Sequence, residues 1–235
     1  MSELILVPTP LTDELPLETV ALEILRRDCL KSDVILLVEE HKVARNRWLK
    51  WGLPREAIEK FELYNEHTSE KMCLPLLKEL KGGKKIYLMS DCGLPSFCDP
   101  GQNLVNLCHE EKLKVTSTPF PNSIALALAL SGFSHSRFTF SGFIPVKSPE
   151  RINWMKAELK NPHTMIWMET PYRLKKLMEE LIEMGVKRKI FLAMDLGAPS
   201  EKLLRGEAPK IYQTLKEGEK REFVLVVAPQ YDRST

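Results

Sequence analysis

The segment Ser90 to Gly101 reads Ser-Asp-Cys-Gly-Leu-Pro-Ser-Phe-Cys-Asp-Pro-Gly, with two aspartates, two prolines and two glycines. It stands between an apolar, strand-like run, Lys85–Ser90, and a helix-like one, Gln102–Glu111. Proline fixes φ, and glycine lets a backbone approach a ligand closely. Carboxylates at the carboxyl end of a parallel strand lie where open α/β sheets bind ligands. The competing reading is an ordinary loop in which Asp99 caps the next helix. Polar clusters follow the other strand-like runs as well. Pro8-Thr9-Pro10-Leu11-Thr12-Asp13 follows the first, Glu39-Glu40-His41-Lys42 the second, Asn65-Glu66-His67-Thr68 the third, and Pro119–Ser123 the fifth. In a parallel sheet these loops share one edge. Each has a plainer reading: Glu39 and Glu40 suit a helix N-terminus, and His67 suits a cap or a solvent-facing position.

The elements that would position these residues alternate. Strands are expected at Leu4–Val7, Asp33–Val38, Ile58–Tyr64, Lys85–Ser90 and Lys114–Ser117, and helices at Leu17–Asp28, His41–Trp51, Ser69–Lys81 and Gln102–Glu111. In the first helix Val20, Leu22, Ile24 and Leu25 interleave with Glu18, Glu23, Arg26 and Arg27, which gives one buried face. Glycines close the second and third helices at Gly52 and Gly82-Gly83. This order predicts a mostly parallel sheet covered on both faces. The prolines of Thr118-Pro119-Phe120-Pro121-Asn122 stiffen a linker and mark a boundary. Two domains are therefore expected, 1–119 and 120–235. Beyond the linker, Ser123 is expected to cap an apolar helix, Ile124–Leu130. Strands follow at Arg137–Phe143, Thr164–Met168, Lys189–Met194, Lys202–Arg205 and Glu222–Val227, with helices at Pro149–Leu159, Pro171–Met184 and Pro209–Lys216. This half has more antiparallel character, hence a mixed sheet.

Composition excludes several classes. Hydrophobic residues at 43% and charged residues at 28% describe a globular chain. A net charge of +2, from 34 basic and 32 acidic residues, excludes a generally cationic coat for nucleic acid but permits a local basic patch. No apolar run is long enough to span a membrane. The first residues lack a basic region and reach Pro8 early, so they read as a strand rather than a signal peptide, and the expected location is cytoplasmic. The five cysteines include no Cys-x-x-Cys pair and read as reduced thiols; no metal site is expected. There is no Gly-x-Gly-x-x-Gly after the first strand and no Walker loop.

Taken in order, these motifs resemble the tetrapyrrole methylase superfamily, and within it the ribosomal small-subunit RNA ribose 2′-O-methyltransferase I family. Val7-Pro8-Thr9-Pro10 resembles the family's opening motif and Asn65-Glu66-His67 the part after strand three. Ser90-Asp91-Cys92-Gly93-Leu94-Pro95 with Asp99-Pro100-Gly101 resembles its most specific loop. Gly142–Pro145, Glu169-Thr170-Pro171-Tyr172-Arg173, Leu204-Arg205-Gly206 and Glu222–Val227 resemble later blocks. The chain departs from the family pattern at Leu11-Thr12-Asp13, His41-Lys42, Phe120-Pro121-Asn122, Met194–Ala198 and Arg221. Basic positions of the family are lost at two of these places.

The resemblance implies a two-domain class III methyltransferase fold with a cofactor cleft between the domains, and a homodimer. It implies S-adenosylmethionine (SAM) as cofactor, with Pro10, Asp91, Gly93, Leu94, Ser123, Ile124 and Thr170 near it. It implies ribosomal RNA as substrate, with Lys42 and Arg173 as phosphate contacts. Lys42, Arg45 and Arg47 in one half, and Lys147, Arg151 and Arg173 in the other, would form the basic patch. A ribose hydroxyl must lose its proton to attack a methyl group, and Glu66 and His67 are the candidate acceptors, with Glu39 behind them. Two other readings stay open: a small-molecule (tetrapyrrole-like) or protein acceptor, and a cofactor-binding module without catalysis.

Overall fold

The computed structural model describes residues 2–120 and 122–230. The chain divides into two compact units, Met1–Phe120 and Pro121–Thr235.

In the N-terminal unit the strands are β1 (Glu3–Val7), β2 (Val34–Val38), β3 (Phe61–Leu63), β4 (Lys85–Met89) and β5 (Lys114–Ser117). They form one sheet in the order β3-β2-β4-β1-β5, and every pairing is parallel. Helices α1 (Thr19–Asp28), α2 (His41–Lys50), α3 (Ser69–Lys81) and α4 (Gln102–Glu110) connect them. Side chains alternate across the sheet, so one apolar run feeds two cores. Ile5, Val7, Val34, Leu36, Val38, Tyr87 and Met89 pack with Ala21 and Leu25 of α1 and Trp48 of α2. Leu4, Ile35, Leu37, Ile86 and Leu88 pack with Cys73, Leu76, Leu77 and Leu80 of α3 and Leu104 and Cys108 of α4. Burial on both faces is why these strands lack polar alternation.

The third strand is shorter than its apolar pattern suggests. Residues Ile58 to Lys60 belong to a 3₁₀ turn, Arg55–Lys60. Pro54 presets φ at −57° just before the turn, and Arg, Glu, Ala and Lys all favour helical backbone over strand.

In the C-terminal unit α5 (Ser123–Ser131) precedes β6 (Phe138–Phe143), α6 (Glu150–Glu158), β7 (Thr164–Glu169), α7 (Leu174–Glu183), β8 (Ile190–Met194), β9 (Lys202–Gly206), α8 (Ala208–Tyr212) and β10 (Phe223–Val227). The sheet order is β6-β7-β10-β8-β9. Only β6 and β7 run parallel; the other pairs are antiparallel. Met165, Trp167, Leu192, Met194, Leu225 and Val227 join Met155 of α6, Leu177 and Leu181 of α7, and Ile211 of α8 in one core. Helix α5 lies against β10 and β8.

Three boundaries differ from the sequence pattern, each for a local reason. Asn122, not Ser123, caps α5: its Oδ1 accepts from the Ala125 N–H at 2.8 Å, and its extended backbone (φ −86°, ψ 154°) suits a cap. Pro171–Arg173 form a 3₁₀ turn, so the continuous helix begins at Leu174. Helix α8 ends at Tyr212, and the Thr214 hydroxyl donates back to the Ile211 carbonyl at 2.8 Å.

Candidate active site

Chain topology selects one point on the N-terminal sheet. The chain leaves β2 toward β3 and leaves β4 toward β5, in opposite directions across the order β3-β2-β4-β1-β5. Open α/β sheets form a crevice where adjacent strands part in this way. Glu39 follows β2 and Asp91 follows β4, and they clasp each other across that crevice. The Asp91 N–H donates to Glu39 Oε2 at 3.0 Å, and the Glu40 N–H donates to Asp91 Oδ1 at 3.3 Å. The adjacent acids therefore divide their work. Glu40 caps α2, accepting from the N–H groups of Lys42 (3.0 Å) and Val43 (2.8 Å), while Glu39 reaches over to the next loop.

The loop after β1 is tied to the same place. Thr9 and Gly93 exchange backbone hydrogen bonds of 2.8 and 3.1 Å, and the Thr9 hydroxyl donates to the Ser90 carbonyl at 3.0 Å. Arg47 of α2 donates to the Pro10 carbonyl at 2.8 Å and to Asp13 Oδ1 at 2.9 Å. Arg47 is thus a brace for the Pro10 loop rather than a free member of the expected basic patch: Nε is held by Asp13 and Nη1 by the Pro10 carbonyl, with the Thr9 hydroxyl at 3.4 Å, and the side chain is 11% exposed. Lys42 is exposed, with its backbone N–H on the Glu40 cap. Pro10 and Gly93 are buried, and Asp91 and Leu94 are half-buried.

The loop after β4 holds unusual backbone. Gly93 has φ +84° and Gly101 φ +142°, while Ser96 and Cys98 reach φ 66° and 65°. Left-handed backbone at non-glycine residues is costly and concentrates at functional sites. Gly101 leaves no room for a side chain: an added Cβ would sit 2.0 Å from Ser96 Oγ and 2.9 Å from Leu88 Cδ2. Asp99 does not cap α4, whose N-cap is Gly101 without a side-chain bond.

Freed from capping, Asp99 faces the carboxylates. Burial first, then the charge of Glu39, pushes the Asp99 carboxyl up to about 7. The same two causes raise Asp91 to about 6, with Arg47 a minor opposing influence. Glu39, Asp91 and Asp99 are therefore an acidic cluster short of positive charge, which favours a cationic ligand. Among the described residues no group of His, Cys, Asp and Glu is arranged to hold a metal ion.

The loop after β3 meets this cluster through Asn65 rather than its neighbours. Asn65 Nδ2 donates to the Glu39 carbonyl at 3.3 Å, and its Oδ1 accepts from the His67 N–H at 3.0 Å. Glu66 and His67 are exposed at the tip of that turn.

In the C-terminal unit, Thr170 and Arg173 meet at one atom. Glu169 Oε1 accepts from the Thr170 N–H at 2.7 Å and from Arg173 Nε at 2.8 Å. The Thr170 hydroxyl is buried and has no hydrogen-bond partner among the described residues. Ser123 and Ile124 open α5, with Ile124 buried. Arg151, expected on the surface, is fully buried against Glu169 and Glu180. Glu169 and Asp99 stood within motifs singled out in the sequence, but their partners, Arg151 and Arg173 for one and Glu39 and Asp91 for the other, come only from the fold.

The chain is a methyltransferase by its family match. The chain belongs to the family of tetrapyrrole (corrin/porphyrin) methylases, whose model matches residues 6–212, and within it to the family of ribosomal RNA small subunit methyltransferase I. The protein of that name from Thermotoga maritima is 29% identical over 222 residues, 94% of each chain. That from Leptospira borgpetersenii is 36% identical over 177 residues, 74% of this chain and 70% of the relative. Among solved structures, a diphthine synthase covers 97% of this chain and 90% of its own, with TM-score 0.67 at 15% identity. Uroporphyrin-III-C-methyltransferase from Thermus thermophilus covers 97% and 94% with TM-score 0.54 at 18% identity. Both share the fold.

The raised carboxyls make a prediction about stability. A folded state that holds protons above the unfolded pKa loses stability as pH rises from about 4 to 7. Asp99→Asn mimics the protonated form. It should therefore raise the melting temperature at pH 8 and leave it nearly unchanged at pH 4. An equal change at both pH values in calorimetry would contradict the placement of Asp99 beside Glu39 and Asp91.

Proposed function

We propose that the protein is a SAM-dependent methyltransferase that methylates a ribose 2′-hydroxyl of small-subunit ribosomal RNA. The observation that carries the cofactor is the acidic cluster at the switch point. SAM presents a sulfonium and an ammonium, and a cluster of carboxyls short of cations is suited to such a ligand. Asp91 with Gly93, Leu94 and Pro10 is assigned to it. The orphaned Thr170 hydroxyl offers a further donor, and the assignment extends to Ser123 and Ile124. The RNA substrate is supported by the names of the relatives from T. maritima and L. borgpetersenii, with Lys42 and Arg173 as phosphate contacts. The expected location is the cytoplasm, and no described helix is long and apolar enough to cross a membrane.

SAM supplies a methyl group on a positively charged sulfur. The chain's own part would be to hold the acceptor hydroxyl in line with that methyl group and to take the hydroxyl proton on a side chain. Glu66 and His67 are assigned as the candidate acceptors, since both are exposed on the loop that Asn65 ties to Glu39. Glu39 is less available, because its carboxylate already accepts from Asp91. Alignment of donor and acceptor supplies roughly 7–11 kcal/mol in favourable cases, so most of the catalytic task falls on binding.

Labelled SAM with small ribosomal subunits, followed by mass mapping of modified nucleotides, tests the activity. Transfer to one ribose is expected, and Glu66→Gln should lower turnover by about 10²-fold with cofactor affinity unchanged. Absence of transfer to subunits at any assembly stage would remove the RNA reading. Equal turnover of Glu66→Gln and wild type would leave His67 as the acceptor.

A homodimer is part of the same proposal. Helix α5 is apolar on every side, yet Leu130 is 43% exposed, and Phe138 and Phe143 of β6 are 48% and 50% exposed. Apolar surface of this kind marks interfaces. Light scattering at tens of micromolar should give twice the chain mass; a strictly monomeric mass would count against it.

A further inference from the structure

The C-terminal unit buries charges that its core does not require. Arg151 and Glu169 have side chains 0% and 1% exposed, and Glu180 7%. Arg151 Nε donates to both Glu180 oxygens, at 3.0 and 2.8 Å. Its Nη1 donates to the Pro145 carbonyl at 3.1 Å and to Glu169 Oε2. The remaining Glu169 oxygen holds the Thr170 N–H and Arg173 Nε. Burying an ion pair costs desolvation, and apolar residues of equal volume commonly serve stability as well. The network must therefore achieve something that an apolar cluster would not.

Its outer end shows what that is. The Arg173 side chain is 24% exposed, the most open of the four. Only its Nε is engaged; both Nη groups make no hydrogen bond among the described residues. A guanidinium is rigid and planar, so fixing Nε fixes the plane in which the Nη donors lie. A planar pair of N–H donors matches the oxygens of a phosphate.

We infer that Glu169, held by Arg151 and Glu180, is a positioning residue that locks Arg173 as a two-pronged grip for a backbone phosphate of the RNA. This rests on the RNA reading of the substrate and adds the group that makes Arg173 effective. Glu169 acts through Arg173 and touches no substrate itself. The Glu169 charge opposes RNA binding at long range, yet its geometry promotes it. Removing that charge while keeping the shape separates the two effects.

The test measures ribosomal RNA binding from low to high salt, together with the Arg173 Nε–H nuclear magnetic resonance signal. The proteins are wild type, Glu169→Gln and Arg173→Lys. Wild type should show a slowly exchanging Arg173 Nε–H, and Glu169→Gln should lose it. Glu169→Gln should bind RNA about 10-fold more weakly although it gains a net positive charge. Arg173→Lys lies at the rim, where folding is least at risk. It keeps the charge and should lose a comparable factor, because lysine offers a point charge instead of a fork. Replacing Arg173 by Gln should lower the salt slope by about one unit. RNA binding by Glu169→Gln equal to or tighter than wild type would overturn the positioning role while leaving the RNA substrate intact. So would Arg173→Lys indistinguishable from wild type. A wild type with the protected signal but no affinity for RNA would overturn the substrate reading, and the grip with it.

Discussion

The N-terminal unit depends on the clasp between the loops after β2 and β4. At a parallel sheet's switch point the two chains part and leave backbone N–H groups facing a crevice. Here carboxylates satisfy them: Glu39 accepts from Asp91, and Asp91 accepts from Glu40. Using acids as backbone acceptors sets the loops in register. It also brings Glu39, Asp91 and Asp99 together without a matching set of cations. Burial first, and then the charge of Glu39, raises the carboxyls of Asp91 and Asp99, while the N–H of Glu40 opposes the rise at Asp91. Arg47 directs its Nε to Asp13 and its Nη1 to the Pro10 carbonyl.

The two units treat charge in opposite ways. The N-terminal cluster gathers Glu39, Asp91 and Asp99, and burial with mutual repulsion raises the carboxyls of the two aspartates. The C-terminal set alternates in sign, from Arg173 through Glu169 and Arg151 to Glu180, with Lys176 at 4.0 Å from Glu180. Alternation allows complete burial of Arg151, and it delivers one oriented cation at the surface.

Much of the N-terminal fold was legible because strands buried on both faces read as continuous apolar runs, as in Val34–Val38 and Lys85–Met89. The loop Ser90–Gly101 was legible because proline and glycine constrain backbone whatever surrounds them. What stayed hidden depends on long-range partners. Glu39 and Glu40 both suit a helix N-terminus, and only the fold separates the cap from the clasp. Arg47 and Arg151 sit among exposed basic neighbours in the sequence, yet one braces Pro10 and the other lies in the core. Ser123 and Asn122 are both good caps, and backbone geometry chose Asn122. Ile58 has the right side chain for a strand, but Pro54 starts a turn before it.

The proposed occupant of this acidic cluster is a cationic cofactor. A positive ligand beside carboxyls that titrate near 6 and 7 must lower their affinity for protons. The most direct measurement is calorimetry of SAM binding at about pH 6.5, in two buffers of different ionisation enthalpy. Binding should come with net proton release, diminished in Asp91→Asn. Binding with no proton release, or no binding at millimolar SAM, would contradict it.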